Sequence, residues 1–378
     1  MFVAYQFLMS RLASPQYSLD RQRGNIFLFY ALVFITVIMG IIVGQLLPSN
    51  NQQARAAADQ QVLAAAANGI LNWGLSHTNA SNSAPFGMLP YPNSGLPTGL
   101  SVCPAPPGPA PATSRIGYFP YLGEPANPPS NCRSVDNTPT RAVGWMDLNL
   151  SDSSGSRLWY AVAAPVLDNP TTAPAYPTIT PASLAAATNQ LFTVCDANGN
   201  ATPNVVFVVF APGPAVAGQN RAAQGVAANF LDSTSLAGAA PCNGVINNAN
   251  IAGRVFVAGS LSDTFNDQVY YVTLAQYLDR LVPNVMRNTL AQIDLYHVAN
   301  GSYPSNITAS NYWLAWDGST TPNANSWSKT VSIVPQTATT AFMTITGCTP
   351  PAVPAQFTLT WNAATSSSSV SPSFSQCL

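Results

Sequence analysis

Charge is what this sequence of 378 residues has least of: 7% of its positions are charged, with a single lysine, Lys329, and a single glutamate, Glu124. Beyond Arg23 there is no lysine or arginine cluster, and the formal net charge is -1, so the electrostatic footprint that nucleic acid requires is missing. Histidine is scarce as well. His77 and His297 are the only two, and the six cysteines include no CxxC pair, which removes the usual zinc spacing. No metal or other cofactor is expected. There is no G-x-S-x-G, no HExxH and no glycine-rich phosphate loop, so no catalytic residue is assigned and an enzyme is the least favoured class. Asp196, Asn198 and Asn200 have the spacing that opens a calcium loop, but Ala201 stands where glycine is needed and Phe207 where a bidentate glutamate would sit. Asp263 and Asp267 flank the turn SDTFND and could hold a cation, but a capped turn before strand 269–273 is the simpler account. Low charge does not imply disorder, because 47% hydrophobic and 10% aromatic content can bury a core.

What the chain does have is one long apolar run, residues 25–47 (NIFLFYALVFITVIMGIIVGQLL), set directly against Arg21-Gln22-Arg23-Gly24. At about 1.5 Å per residue a helix of this length rises roughly 34 Å, enough to cross a bilayer core. Arg11, Arg21 and Arg23 precede it and only Asp20 opposes them, which places the N-terminal arm in the cytoplasm and the rest outside. A cleaved secretory signal has an apolar region of only about 7–15 residues, so an anchor is expected.

An Arg-Gly junction against an apolar helix resembles the leader of a type IV pilin or type II secretion pseudopilin. The resemblance implies a cut by prepilin peptidase between Gly24 and Asn25. Residues 1–24 are then a leader, 25–47 a transmembrane helix, and 48–76 the amphipathic half of a pilin-type spine. Two positions depart from the family pattern. Phe29 occupies the fifth mature position, where most members carry glutamate, and Asn25 the first. Without that carboxylate a neighbour's amino terminus goes unanswered in a low-dielectric filament core, so the chain is expected to be a minor subunit at or near the tip.

Residues 52–76 read as helix, rich in alanine and leucine, with Val62, Ala66, Ile70 and Trp73 along one side. The following FGMLPYPNS is similar to the proline turn after some pilin helices. Much later, LAQIDLYHVANGSYP resembles the helix end of many pilins, with Asn300-Gly301 ending the helix and Pro304 preventing its continuation. A helix over about 275–298 is soluble and amphipathic, with Tyr277, Leu281, Val285, Leu290 and Leu295 apolar and Pro283 opening its main part or bending it. The two signatures suggest two pilin-like units, the alternative being one large head with a lone helix in it. The expected fold class is α+β: a long N-terminal transmembrane helix continuing into a head of antiparallel sheet, divided into a β-rich region 77–262 and a helix-plus-β region 263–378. Strands are expected at 145–149 paired with 157–165, and at 204–211, 254–259, 269–273, 341–346 and 356–361, with proline-rich loops at 103–130, 165–182 and 349–354 and a serine-rich tail at 363–376.

Six cysteines, all beyond the apolar run, argue for three disulfides on the exported side. Sequence permits about fifteen connectivities. Pairing neighbours, Cys103 with Cys132, Cys195 with Cys242 and Cys348 with Cys377, closes loops of similar modest length and is preferred; the last pair would resemble the disulfide that closes the C-terminal loop in many type IV pilins. Trp313, Trp316 and Trp327 cluster in a polar stretch and are candidates for contacting a surface. The function these readings imply is a non-enzymatic minor pilin or pseudopilin, inserted in a bacterial inner membrane with its head periplasmic and reaching the cell surface after assembly. Its partners would be prepilin peptidase, other subunits through residues 25–76, and an unidentified protein or surface ligand of the head. The alternative is a single-span membrane protein with a disulfide-bonded extracytoplasmic binding or scaffolding domain.

Overall fold

The computed structural model describes residues 34–35, 54–75, 87–90, 92, 115–120, 150–167, 179–222, 225–305, 331–345, 355–371 and 373. The chain divides into two units, residues 1–57 and 58–378. In the first, Phe34 and Ile35 are helical and exposed, and helix α1 (residues 54–75) begins. The expected fold class is corrected here. Among the described residues no helix is long and apolar enough to cross a membrane; apart from the helical pair Phe34 and Ile35, the α-helical segments among them are α1, α2 (Pro181–Ala186) and α3 (Leu274–Asn300). The larger unit is mostly sheet. The leader and nearly all of the apolar run lie outside the described residues.

The larger unit is built around strand β4 (Ala201–Ala211), whose second half, VVFVVFA, is buried throughout. So continuous an apolar stretch suits a sheet centre covered on both faces. Val205 pairs with Phe192 of β3 (Phe192–Asp196) and with Thr273 of β8 (Gln268–Thr273), which places β3 and β8 on opposite edges of β4. Further along, Phe207 to Phe210 pair with Val162 to Trp159 of β2 (Trp159–Val162) on the β3 side. Irregular backbone lies next to that exchange of neighbours. Pro203 has no N–H to give a ladder, Asn204 adopts a φ of 58°, and the pairing with β8 shifts register between Val205 and Phe207. The sheet is completed by β1 (Ile116–Tyr118), antiparallel to β2, and by β7 (Val255–Ala258), parallel to β3. This six-stranded sheet is therefore mixed, not purely antiparallel. β1 lies within the expected proline-rich loop, and the expected partner of β2 at 145–149 lies outside the described residues.

α1 packs Leu63, Ala66, Ala67, Ile70 and Trp73 into the core. α3 opens with a capping box between Thr273, the last residue of β8, and Gln276, and closes at Gly301 in the left-handed conformation with φ 70°. Pro283 neither opens nor ends this helix but sits inside it. Leu281, Val282, Val285 and Met286 are all buried around it, and that packing offsets the roughly 3 kcal/mol a helical proline costs. The helix spans two sheets. Near its start the Tyr277 hydroxyl donates to the Gly87 carbonyl. Near its end Asp294 accepts from the backbone N–H and hydroxyl of Ser368, and His297 stacks on Trp361 with ring centroids 4.0 Å apart.

Those partners belong to a four-stranded antiparallel meander in the order β12-β11-β10-β9: β9 (Val331–Pro335), β10 (Thr340–Ile345), β11 (Ala355–Asn362) and β12 (Ser367–Ser371). It buries Val331, Ile333, Ala341, Met343, Ile345, Phe357 and Leu359 in the same apolar core as the first sheet. The expected serine-rich tail is thus in part an edge strand. Among the described residues the two helix-and-sheet segments have different strand orders, a six-stranded mixed sheet and a meander.

Candidate functional site

The part of the head built least like a core and most like a display is a two-stranded ribbon, β5 (Ser233–Ala237) against β6 (Asn243–Asn247). Every second side chain of β5 is exposed, and on β6 only Ile246 is buried. No charged residue occurs from Ser233 to Asn247. An isolated ribbon of this size is marginal in water, and three structural features hold this one in place.

The first is covalent. Cys242, in the turn between the strands, is bonded to Cys195 at the end of β3, with Cα atoms 5.6 Å apart. Both cysteines are fully buried and join Ile246, Val257 and Phe265 in a small apolar cluster separate from the main core. This is one of the three expected disulfides; Cys103, Cys132, Cys348 and Cys377 lie outside the described residues.

Second, backbone meets backbone beside the turn. The Asp196-Asn198-Asn200 stretch, whose spacing opens a calcium loop, is a self-satisfied turn in which the Asp196 carboxylate accepts from the Asn198 N–H, the Asn200 N–H and the Asn200 side chain at 2.7–2.8 Å. Those bonds, the Asn200 side chain foremost, hold its pKa below the usual carboxylate value. The turn sets Gly199 (φ 79°) so close to Gly238 that a Cβ on Gly199 would lie 2.5 Å from the Gly238 Cα. Only glycine fits both demands. Gly199→Ala is accordingly expected to cost about 2–3 kcal/mol, combining a left-handed backbone with a clash that no side chain can relieve. Urea unfolding measures it, and a change below about 0.5 kcal/mol would refute the buttress.

The third feature is a buried polar network at the ribbon's base. Asp232, one residue before β5, and Asn248, one residue after β6, are both buried. Asn248 spans the gap to β7, accepting from the Val257 N–H at 2.8 Å and donating to the Val257 carbonyl at 3.0 Å. Its amide also donates to Asp267 Oδ2, which takes the Asp232 N–H at 2.8 Å. Asp232 accepts in turn from the Gln219 side chain and the Asn266 N–H, each at 2.7 Å. Arg221 grips Gln219 through two nitrogens, at 2.7 and 3.0 Å, and lies over the Phe230 ring. Burial lowers the Arg221 pKa. Burial, reinforced by the neighbouring Asp232 charge, pushes the Asp267 carboxyl well above its ordinary value, and burial raises Asp232 too.

Asp267 Oδ1 is buried with no hydrogen-bond partner, so ionising this carboxyl in the folded state is costly. A carboxyl whose folded pKa is raised gives its full stability below the unfolded value of about 3.9 and loses it as pH climbs through the folded value. Asp267→Asn keeps a neutral group there. The variant is expected to lose the Asp267 share of the decline in stability that these raised carboxyls impose above about pH 4, and at pH 8 to gain about 1–3 kcal/mol over the native head. Thermal melts across pH check this, and parallel profiles for the two proteins would overturn it.

The sequence found the cysteines and the SDTFND turn, where the Ser262 hydroxyl does accept from the Phe265 N–H, but offered Asp267 only as part of a capped turn or a cation site. Asp232, Asn248 and the ribbon itself were missed; the available signal was a charge-free stretch of alternating small and apolar residues ending in a cysteine. His297 is packed: it is buried, and its Nε2 lies 2.7 Å from the Ala338 carbonyl. Gly24, Asn25, Trp313, Trp316, Trp327 and His77 lie outside the described residues. Among the described residues no group of three or more His, Cys, Asp or Glu side chains could hold a metal. The site presents an uncharged ribbon surface held at its base by bonds among Gln219, Arg221, Asp232, Asn248 and Asp267. No family model, curated protein or solved structure matches this chain.

Proposed function

We propose that this chain is a minor, non-enzymatic subunit of a type IV pilus or type II secretion-like filament. The observation that carries the reading is the basic Arg21-Gln22-Arg23-Gly24 set directly against the charge-free apolar run 25–47. In this reading prepilin peptidase cuts between Gly24 and Asn25, the apolar run holds the subunit in a bacterial inner membrane and then packs against other subunits, and the head is periplasmic until assembly carries it to the cell surface. The Cys195–Cys242 disulfide supports a head that matures in an oxidising compartment. A rigid, charge-poor ribbon supports a role in contact rather than in chemistry.

Phe29 and Asn25 favour a second reading, a single-span protein that is never cut and whose disulfide-bonded head binds or scaffolds in the envelope. Mass spectrometry of the N-terminus separates the two. A chain that begins at Asn25, and that keeps residues 1–24 when Gly24→Leu is made, is expected for the filament subunit. An intact Met1 in every cellular fraction would remove it.

A further inference from the structure

We propose that β5 is a self-pairing edge, through which two copies of this chain join their ribbons into one four-stranded antiparallel sheet; the proposal stands on the ribbon's geometry and does not depend on the filament reading. The hydrogen-bond phase of the ribbon fixes which groups are free. Asn248 donates its N–H to the Asp232 carbonyl at 2.9 Å, and Gly238 its N–H to the Cys242 carbonyl at 3.0 Å. Between these two bonds the register runs without a shift from Ser233 opposite Asn247 to Ala237 opposite Asn243. Residues 232, 234, 236 and 238 therefore turn their backbone groups toward β6, and Ser233, Ser235 and Ala237 turn theirs the other way. Among the described residues nothing pairs with that outer edge, and the three side chains on it are exposed.

An open edge of this kind is normally blunted by lysine, proline, a bulge or an inward-pointing charge. β5, STSLA, has none of these. It is also held rigid at both ends, by the disulfide beside its turn and by the Asp232–Asn248–Asp267 network at its base, so pairing it loses little conformational freedom.

The occupant that fits is an identical strand. About a two-fold axis through Ser235, that residue faces its own copy, Ser233 faces Ala237 of the second molecule, and Thr234 faces Leu236. Six backbone hydrogen bonds result, from three outward residues on each copy. Two copies meet without any like charges, because residues 233–247 carry none, and the net charge of -1 gives the heads little long-range repulsion. A foreign peptide added to an edge is selected by pockets for its alternate side chains, and Ser233, Ser235 and Ala237 are too small to frame one. Two five-residue strands bury far less than the roughly 1,200 Å² of a stable interface, so the pairing is weak and depends on concentration.

Cysteine scanning on the full chain in mild detergent tests the register. Ser235→Cys puts two thiols opposite each other across the axis, with Cα atoms about 5.5 Å apart and so within reach of a disulfide. Ser233→Cys faces only Ala237 of the second copy. After peptide mapping has shown the Cys195–Cys242 bond intact in each variant, mild oxidation and non-reducing electrophoresis are expected to give a dimer for Ser235→Cys that rises with protein concentration. Its yield should exceed that of Ser233→Cys by about fivefold, the ratio that roughly 1 kcal/mol supplies, and the double variant Ser233→Cys/Ala237→Cys should recover it. Equal yields from positions 233 and 235, no dimer from either, or capture at position 235 of a different polypeptide would each overturn the self-pairing edge.

Discussion

Replacing Cys195 and Cys242 together by alanine is expected to lower the unfolding free energy by about 4 kcal/mol. The bond spans 47 residues of chain, and a crosslink of that reach removes considerable freedom from the unfolded state. Its effect in the folded state is local. Among the described residues the buried cluster it anchors contains Ile246, Val257 and Phe265 besides the two cysteines, with Leu236 and Val255 packed against it, too few to hold an exposed ribbon without help. Loss of the bond should therefore show first at residues 233–247, as amide exchange that accelerates before β4 or α3 respond. Urea unfolding with hydrogen exchange measures both effects. A loss under about 1 kcal/mol, or exchange that stays uniform across the head, would show that the polar network at the ribbon's base suffices. Since both sulfurs are fully buried, added reductant should act on the native head only slowly.

What could be read from the sequence, and what could not, divides by how the elements are stabilised. β4 was visible because VVFVVFA is apolar at every position, β11 because QFTLTW alternates, and β10 as the short run AFMTIT. The end of α3 was visible because Asn300-Gly301 supplies the left-handed cap that the structure contains. β12 was not. SSSVS has little strand preference of its own, and it is a strand because β11 lies beside it and Asp294 of α3 captures Ser368, both distant in sequence. β1 was lost inside a proline-rich stretch for the same reason: Ile116 to Tyr118 make a strand only against β2. Leu295 was assigned to the buried side of α3 yet is exposed, whereas Ile293 and His297 are buried. The helix turns that side toward the meander, which no local pattern announces. Within the candidate site, cysteine count gave the disulfide, but Asp232, Asn248 and Asp267 acquire their meaning only from a fold that brings loops before β5, after β6 and before β8 to one point.

Phe210→Ala is expected to cost about 3–5 kcal/mol and to unfold the meander together with the first sheet. Phe210 is fully buried at the crossing of three strands: it pairs with Trp159 of β2 and Val269 of β8, and its ring lies 5.2 Å from that of Phe256 on β7. Removing it leaves a cavity that rigid neighbours on every side cannot fill, which places the cost at the upper end for such changes. Against a total stability of about 5–15 kcal/mol the head would be left marginal. The meander should follow, because α3 is continuous with β8 at Thr273 and reaches the meander through Asp294 and His297, and because Tyr303, just beyond its end, packs on His297 with its hydroxyl 2.8 Å from the Ser368 hydroxyl. The buried residues of both sheets also form one cluster. A single transition is therefore expected, with the urea midpoint lowered and the slope unchanged. Two transitions, with His297 and Trp361 remaining stacked after β4 has opened, would show that the meander folds by itself and that α3 links two independent bodies.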